Sequence, residues 1–214
     1  MDISLIKETF ENRKGNPMGL TNHYSVLLPL VKIDDSWHVL FEVRSEKLDR
    51  QPNEISFPGG KVEENETFKD GAIRETCEEL NIQPSSITVL GELDYIMSNN
   101  SAVYGFVGVL EDIDVDYIEY NEKEVDHVFT VPLDFFLSNE PEVHYTKLEV
   151  VPNEDFPYHL IQNGRDYNWN KGKQVVYFYV YEDYVIWGMT ARFMKNFVDI
   201  LKMQYRIYDK ELKF

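Results

Sequence analysis

The chain has 214 residues, 21 of them basic and 38 acidic, for a formal net charge of −17, and 43% are hydrophobic. That is the composition of a folded protein, and the length suits one domain with elaborations. The acidity argues against binding nucleic acid or anionic membranes by charge, and the single Cys77 excludes an internal disulfide framework and a multi-cysteine zinc site.

Residues 2–12 place Ile3, Leu5, Ile6 and Phe10 at helical spacing, and Gly15 and Pro17 then stop the pattern. This opening segment has no apolar signal-peptide core, and no apolar run approaches the roughly 20 residues of a membrane helix, so a cytoplasmic location is expected. Residues 23–33 and 37–43 read as strands. Asp34, Asp35 and Ser36 between them are turn-formers, which predicts a hairpin. Residues 44–66 contain Pro52, Pro58, Gly59 and Gly60 and read as largely loop. A helix is predicted from Thr67 to Leu80. Strands follow at 87–96, 103–110 and 125–131, with a short helix at 133–138 behind Pro132. Further strands are predicted at 143–151 and 173–181, separated by a polar, aromatic, irregular connection at 152–172. A closing helix over 188–203 carries Phe193, Phe197, Val198 and Leu201 on one face. Strands and helices in this order indicate a mixed sheet between helical layers, an α/β class fold. No linker divides the chain, so 1–214 reads as a single domain with a short N-terminal helix and a C-terminal helix.

The predicted helix at 67–80 carries the chemistry. Thr67 with Asp70 is a capping-box pattern, and Asn81 suits a left-handed helix end. With Glu75 at zero and about 100° per residue, Glu79 falls near +40° and Glu78 near −60°. Three carboxylates then share an arc of about 100°, while Ile73, Thr76, Cys77 and Leu80 form an apolar side. Glu75 and Glu79 repel each other at i,i+4, and the helix dipole disfavours both. Arg74, at i,i+4 to Glu78, compensates in part. Hard divalent cations such as Mg²⁺ or Mn²⁺ take oxygen ligands and would remove the penalty. The bland reading of such a run is a solvated acidic face.

The surroundings decide against the bland reading. Gly60, Glu66, Arg74-Glu75, Glu78-Glu79 and Ile82 together read G-x5-E-x7-R-E-x-x-E-E-x-x-I. This resembles the Nudix box of the Nudix hydrolases, with Asn81 where the consensus has glycine and Thr76 where it has an aliphatic residue. The resemblance implies the Nudix fold: a mixed β-sheet in an α/β/α sandwich, with the box as loop–helix–loop. It also implies metal-dependent hydrolysis of a nucleoside diphosphate derivative. Glu75 and Glu79 then correspond to the principal metal ligands, Glu78 to a further carboxylate near the metal, and the Gly59 carbonyl to another ligand. Arg74 corresponds to the residue that orients the carboxylates. Bound Mg²⁺ or Mn²⁺ neutralises a diphosphate and activates water.

The flanks resemble a subfamily, the coenzyme A diphosphatases, whose signature runs roughly L-L-T-x-R-S-x-x-x-R-x-x-x-G-x-x-x-F-P-G-G. Arg44, Ser45 and Phe57 to Gly60 match it. Asp49 stands where its second arginine is expected, with Arg50 one position late. Trp187-Gly188-Met189-Thr190-Ala191 is similar to its W-G-x-T-A segment, and Asn121 to Leu133 to the region after its box. Arg44, Ser45 and Arg50 are the expected substrate contacts, and Glu124 an expected general base or late metal ligand. The implied reaction splits coenzyme A into 3′,5′-ADP and 4′-phosphopantetheine. A Nudix pyrophosphatase acting on ADP-ribose or a dinucleotide is the alternative, and a non-catalytic nucleotide sensor a third reading. The partners implied are a small nucleotide substrate and, for assembly, a second copy of the chain. No histidine spacing for zinc and no G-x-S-x-G elbow is present.

Overall fold

The computed structural model describes residues 2–98 and 100–211. The first helix, α1 (Ile3–Phe10), is capped by the Asp2 carboxylate on the Ser4 N–H, and none of its residues is buried. Strands β1 (Asn22–Ile33) and β2 (Ser36–Arg44) form the predicted hairpin, with Asp34 in the left-handed region at its turn. The two strands pair only near that turn, from Leu30 opposite Val39 to Ile33 opposite Ser36. Further back they diverge, and two short strands fill the gap. β3 (Ile55–Ser56) pairs with β2, and β4 (Gly59–Lys61) pairs with β1. The segment 44–66, predicted to be largely loop, is so, and it also contributes these two short strands to the sheet.

β7 (Ser101–Leu110) runs parallel to β1, and the other pairings of the main sheet are antiparallel, so the sheet is mixed as expected. β5 (Ile87–Glu92) and β6 (Ile96–Ser98) both pair with β7. The single strand predicted over 87–96 is broken, because the register shifts between Val89 and Gly91 and the Leu93 N–H turns to the Gly105 carbonyl. β8 (Val125–Pro132) lines the far edge of β2 and runs directly into α3 (Leu133–Ser138). A second, three-stranded sheet holds β9 (Glu142–Glu149), β10 (Lys171–Tyr181) and β11 (Tyr184–Trp187). β11 was not anticipated: the turn at Glu182, another left-handed residue, is marked in the sequence only by Glu-Asp. The closing helix α4 (Gly188–Glu211) is longer than the predicted 188–203. No helix among the described residues is long and apolar enough to cross a membrane.

Side-chain alternation along the central strands sends residues to two helical layers. Leu28 and Leu30 of β1, with Val39, Phe41 and Val43 of β2, pack with Phe193, Met194, Phe197 and Val198 of α4. Leu27 and Val31 of β1, with Leu40 of β2, pack with Ala72 and Leu80 of α2 (Phe68–Leu80) on the opposite face. This is the α/β/α sandwich. Helix α2 starts and stops where its sequence requires. The Thr67 hydroxyl accepts from the Asp70 N–H at 3.1 Å, and Asn81 adopts φ 49°, ψ 41°. The Thr67 cap satisfies a donor that the helix would otherwise expose, so Thr67→Ala should destabilise the protein by about 0.5–2 kcal/mol. Urea denaturation checks this; an unchanged midpoint would mean that solvent caps α2 as well as Thr67 does.

Candidate active site

Helix α2 does not divide into an apolar and an acidic side as predicted. Its buried residues are Gly71, Ala72, Thr76, Glu79 and Leu80. On the helical wheel these span about −40° to +140°, which places Glu79 near the middle of the buried arc and Glu75 inside it. Exposure follows this order: Glu79 is 3% exposed, the Glu75 side chain 16% and the Glu78 side chain 56%. Glu79 turns inward because a donor waits there. Its Oε2 accepts the Gly59 N–H at 2.8 Å. The expectation of an exposed carboxylate face thus holds for Glu78 alone.

Two glycines make this approach possible. A Cβ at Gly59 would overlap the Ser25 carbonyl oxygen and the Val26 backbone, and one at Gly60 would collide with the Glu75 carboxylate. Both positions need the absence of a side chain. The loop thus lies directly against the carboxylates.

Arg74 ties the rim of the cluster together. Its Nε and Nη2 donate to Glu66 at 3.0 and 3.2 Å, Nη1 donates to Glu75 at 3.0 Å and Glu78 at 3.3 Å, and Nη2 reaches the Lys61 carbonyl at 3.1 Å. Glu66 is held below the usual carboxylate range by these Arg74 hydrogen bonds. Glu75 is pushed above it by burial, with Arg74 opposing.

Glu124 reaches the same region from the other side. The Asn121 N–H donates to the Glu79 carbonyl at 2.8 Å, the Asn81 side chain binds the Glu119 carbonyl, and Asn121 Nδ2 donates to Glu124 Oε1 at 3.3 Å. The loop before β8 is therefore pinned to the C-terminal end of α2. The Glu124 charge acts on Glu75 and Glu79.

The expected substrate contacts divide. Arg44 Nη2 donates to the Arg50 carbonyl at 3.4 Å, so the loop after β2 brings the exposed Arg50 back against Arg44, the last residue of that strand. Ser45 is buried, and its hydroxyl bonds the Glu122 carbonyl at 3.5 Å, while its N–H donates to the Glu124 carbonyl at 2.8 Å. Ser45 thus anchors the Glu124 loop in this structure and does not face an open surface. Two residues escaped sequence reasoning. Thr190 donates to the Ile55 carbonyl at 2.9 Å, which ties α4 to the strand before the glycine loop; the W-G-x-T-A similarity was the only signal for it. Glu42 is fully buried on the α2 face of β2, a carboxylate where the strand pattern wants an apolar residue.

A model of the NUDIX domain matches residues 22–158. The chain belongs to the Nudix hydrolase family. It is 34% identical over 181 residues to the peroxisomal coenzyme A diphosphatase NUDT7 of Mus musculus, covering 80% of this chain and 67% of that one. It is 32% identical to the chloroplastic Nudix hydrolase 22 of Arabidopsis thaliana, covering 79% of this chain and 52% of that one, so it spans half to two thirds of these relatives. A solved MutT/nudix family protein from Enterococcus faecalis, 13% identical, superposes with a TM-score of 0.49 over 94% of this chain and 70% of that one. Nudix hydrolases act on small nucleotide derivatives and generally need divalent cations such as Mg²⁺ or Mn²⁺.

No three of the described His, Cys, Asp or Glu side chains converge closely enough to clasp an ion between them. Glu75 is turned to Arg74, and Glu79 to the Gly59 N–H. The donor set nonetheless suits a hard cation: all are oxygens, and Glu42 Oε2 is buried with no hydrogen-bond partner. Burial, opposed by the Ser56 hydrogen bond and by Arg44, pushes Glu42 up to about 7, and burial and Glu42 push Glu79 well above the usual range. Between pH 4.5 and about 7 the unfolded chain releases the Glu42 proton while the folded one retains it. Folding stability attributable to Glu42 therefore falls as pH rises through that window. Glu42→Gln keeps an acceptor for Ser56, so its melting temperature in EDTA should rise relative to wild type from pH 4.5 to pH 7.5. A difference that stays constant with pH would mean that Glu42 ionises freely in the fold.

Proposed function

We propose that this chain is a divalent-cation-dependent diphosphatase that splits coenzyme A, and its acyl derivatives, into 3′,5′-ADP and 4′-phosphopantetheine. The observation that carries the reading is the carboxylate cluster that α2, the Gly59-Gly60 loop and Glu124 assemble, with Arg44, whose charge acts on Glu42, at the end of β2 and Arg50 against it. The similarity to a protein named as a coenzyme A diphosphatase over 80% of the chain supports it. In this reading Glu75, Glu78, Glu79 and the Gly59 carbonyl would hold the cation, which would supply charge neutralisation for the diphosphate and a lowered pKa for the attacking water. Arg74 holds Glu75 and Glu78 in place. Glu124 accepts the proton of the water that attacks one phosphorus, and the bond from that phosphorus to the bridging oxygen breaks. Arg44 and Arg50 bind phosphate oxygens. Residues 1–214 act as one domain, and the single cysteine supports a cytoplasmic location.

Mass-resolved products from coenzyme A, dephospho-coenzyme A, ADP-ribose and dinucleotides test the proposal. The expected result is cleavage of coenzyme A with Mg²⁺ or Mn²⁺, reduced by orders of magnitude in Glu79→Gln. ADP-ribose cleavage without coenzyme A cleavage would overturn the substrate, and no metal-dependent turnover would favour a nucleotide sensor. The shift from Asp49 to Arg50 lies in a loop with left-handed Gln51 and Asn53, so Arg50 is free to reach the phosphate that the signature arginine would hold. Arg50→Ala should therefore weaken coenzyme A hydrolysis more than that of dephospho-coenzyme A, by about 1.5–3 kcal/mol in kcat/KM. Equal losses on both substrates would show that Arg50 does not hold the 3′-phosphate.

A further inference from the structure

Glu42 is a buried acid that the proposed reaction leaves without a task. Strand alternation sends Val39, Phe41 and Val43 to the α4 core, so Leu40 and Glu42 face α2. Glu42 sits mid-sheet, opposite Ser56 of β3 on one side and Val128 of β8 on the other. It is 0% exposed. Its Oε1 accepts from Ser56 Oγ at 2.9 Å, whereas Oε2 is buried with no hydrogen-bond partner. The carboxylates whose charges reach it are Glu75, Glu79 and Glu124. Arg44, two residues on, acts on Glu42 by its charge but makes no hydrogen bond to it: its Nη2 donates to the Arg50 carbonyl, and its Nε is buried without a partner.

A buried carboxylate oxygen without a donor is costly, and three neighbouring acids add to the cost. Packing gives no reason for it. Leu40, two residues earlier on the same face, fills its place with an apolar side chain, and the subfamily signature has threonine where Glu42 stands. The missing partner is therefore a positive charge on the α2 side of the sheet. No basic side chain among the described residues donates to Glu42. The bound species that the site chemistry calls for is a divalent cation, for which an unpaired carboxylate oxygen is a natural ligand.

We propose that Glu42 supplies an additional oxygen ligand, through Oε2, to a divalent cation that Glu75 and Glu79 would hold on turning from Arg74 and the Gly59 N–H, so that the ion would be gripped from the sheet as well as from the helix. Ser56 would then act as a positioning residue: its hydroxyl fixes Oε1 and leaves Oε2 free for the ion. The inference rests on the metal-dependent reading above and assigns to it a ligand outside the Nudix box.

The test is Mn²⁺ binding to the full chain without substrate, measured by calorimetry and by the electron paramagnetic resonance of free Mn²⁺. Wild type, Glu42→Gln, Glu42→Thr and Glu79→Gln are compared, with circular dichroism and metal-free melting to confirm folding. Glu42→Gln and Glu42→Thr should each weaken Mn²⁺ binding about tenfold or more while melting no lower than wild type without metal. Ser56→Ala should give a smaller loss in the same direction. Mn²⁺ affinity within twofold of wild type in both Glu42 variants, with Glu79→Gln impaired, would overturn the Glu42 ligand alone. No Mn²⁺ binding by wild type, or none lost in Glu79→Gln, would overturn the metal-dependent reading and this inference with it.

Discussion

Two carboxyl groups buried between a helix and a sheet, where neither ionises easily, are the constraint on which this site depends. Glu79 descends from α2 and Glu42 rises from β2, and both are almost without solvent. In such a gap each carboxylate makes the other harder to ionise, and water is not there to relieve it. The protein moderates the charge without cancelling it. The Gly59 N–H serves Glu79, the Ser56 hydroxyl serves Glu42, and Arg74 is spread over Glu66, Glu75 and Glu78. One guanidinium against three acids leaves the rim negative. A full complement of donors would remove the field that attracts a cation, so incomplete pairing is what the site's chemistry requires.

The sheet is shaped to make this gap. A regular hairpin would keep β1 and β2 paired along their whole length and fill the space beneath α2. Here they part after Leu30 and Val39, and β3 and β4 take up the freed edges. The turn between those short strands carries Phe57 into the α4 core and Gly59 to the foot of Glu79. Thr190 of α4 holds the Ile55 carbonyl, so the opposite helical layer braces the loop from behind. The glycines then matter for lacking a side chain, since any Cβ there would meet Ser25 or Glu75.

Features with local causes were legible in the sequence. The Thr67 cap, the left-handed Asn81, the two-residue turn at Asp34 and the short helix behind Pro132 each follow from nearby residues alone. The mixed sheet between helices followed from element order. What escaped depends on partners distant in the chain. Helical angles gave the three carboxylates a common arc, yet only the position of the Gly59 N–H shows that Glu79 lies in the buried half. Ser45 looked like a substrate contact beside Arg44 because nothing in the sequence reveals the Glu122 and Glu124 carbonyls, 77 and 79 residues on, that claim it. Glu42 sits in the otherwise apolar run from Val39 to Val43 and reads as an interruption until β3 and α2 are placed around it.

The long-range field poses a further question, because a net charge of −17 opposes a polyanionic substrate. Salt screens charges beyond about 8 Å, so what the substrate meets near the surface is the local arrangement. That arrangement is layered by sign. Buried acids lie deepest, between α2 and β2, and the half-buried and exposed acids Glu75 and Glu78 lie outside them. Arg44 stands at the end of β2, with the exposed Arg50 against it on the loop that follows. In the proposed reading a divalent cation occupies the boundary and turns a repulsive surface into one that accepts phosphate oxygens. The arginines then bind the groups that the cation does not reach. In that reading the acidity of the chain is compatible with phosphate chemistry, because the acids would face the cation and the substrate would face the cation and the arginines.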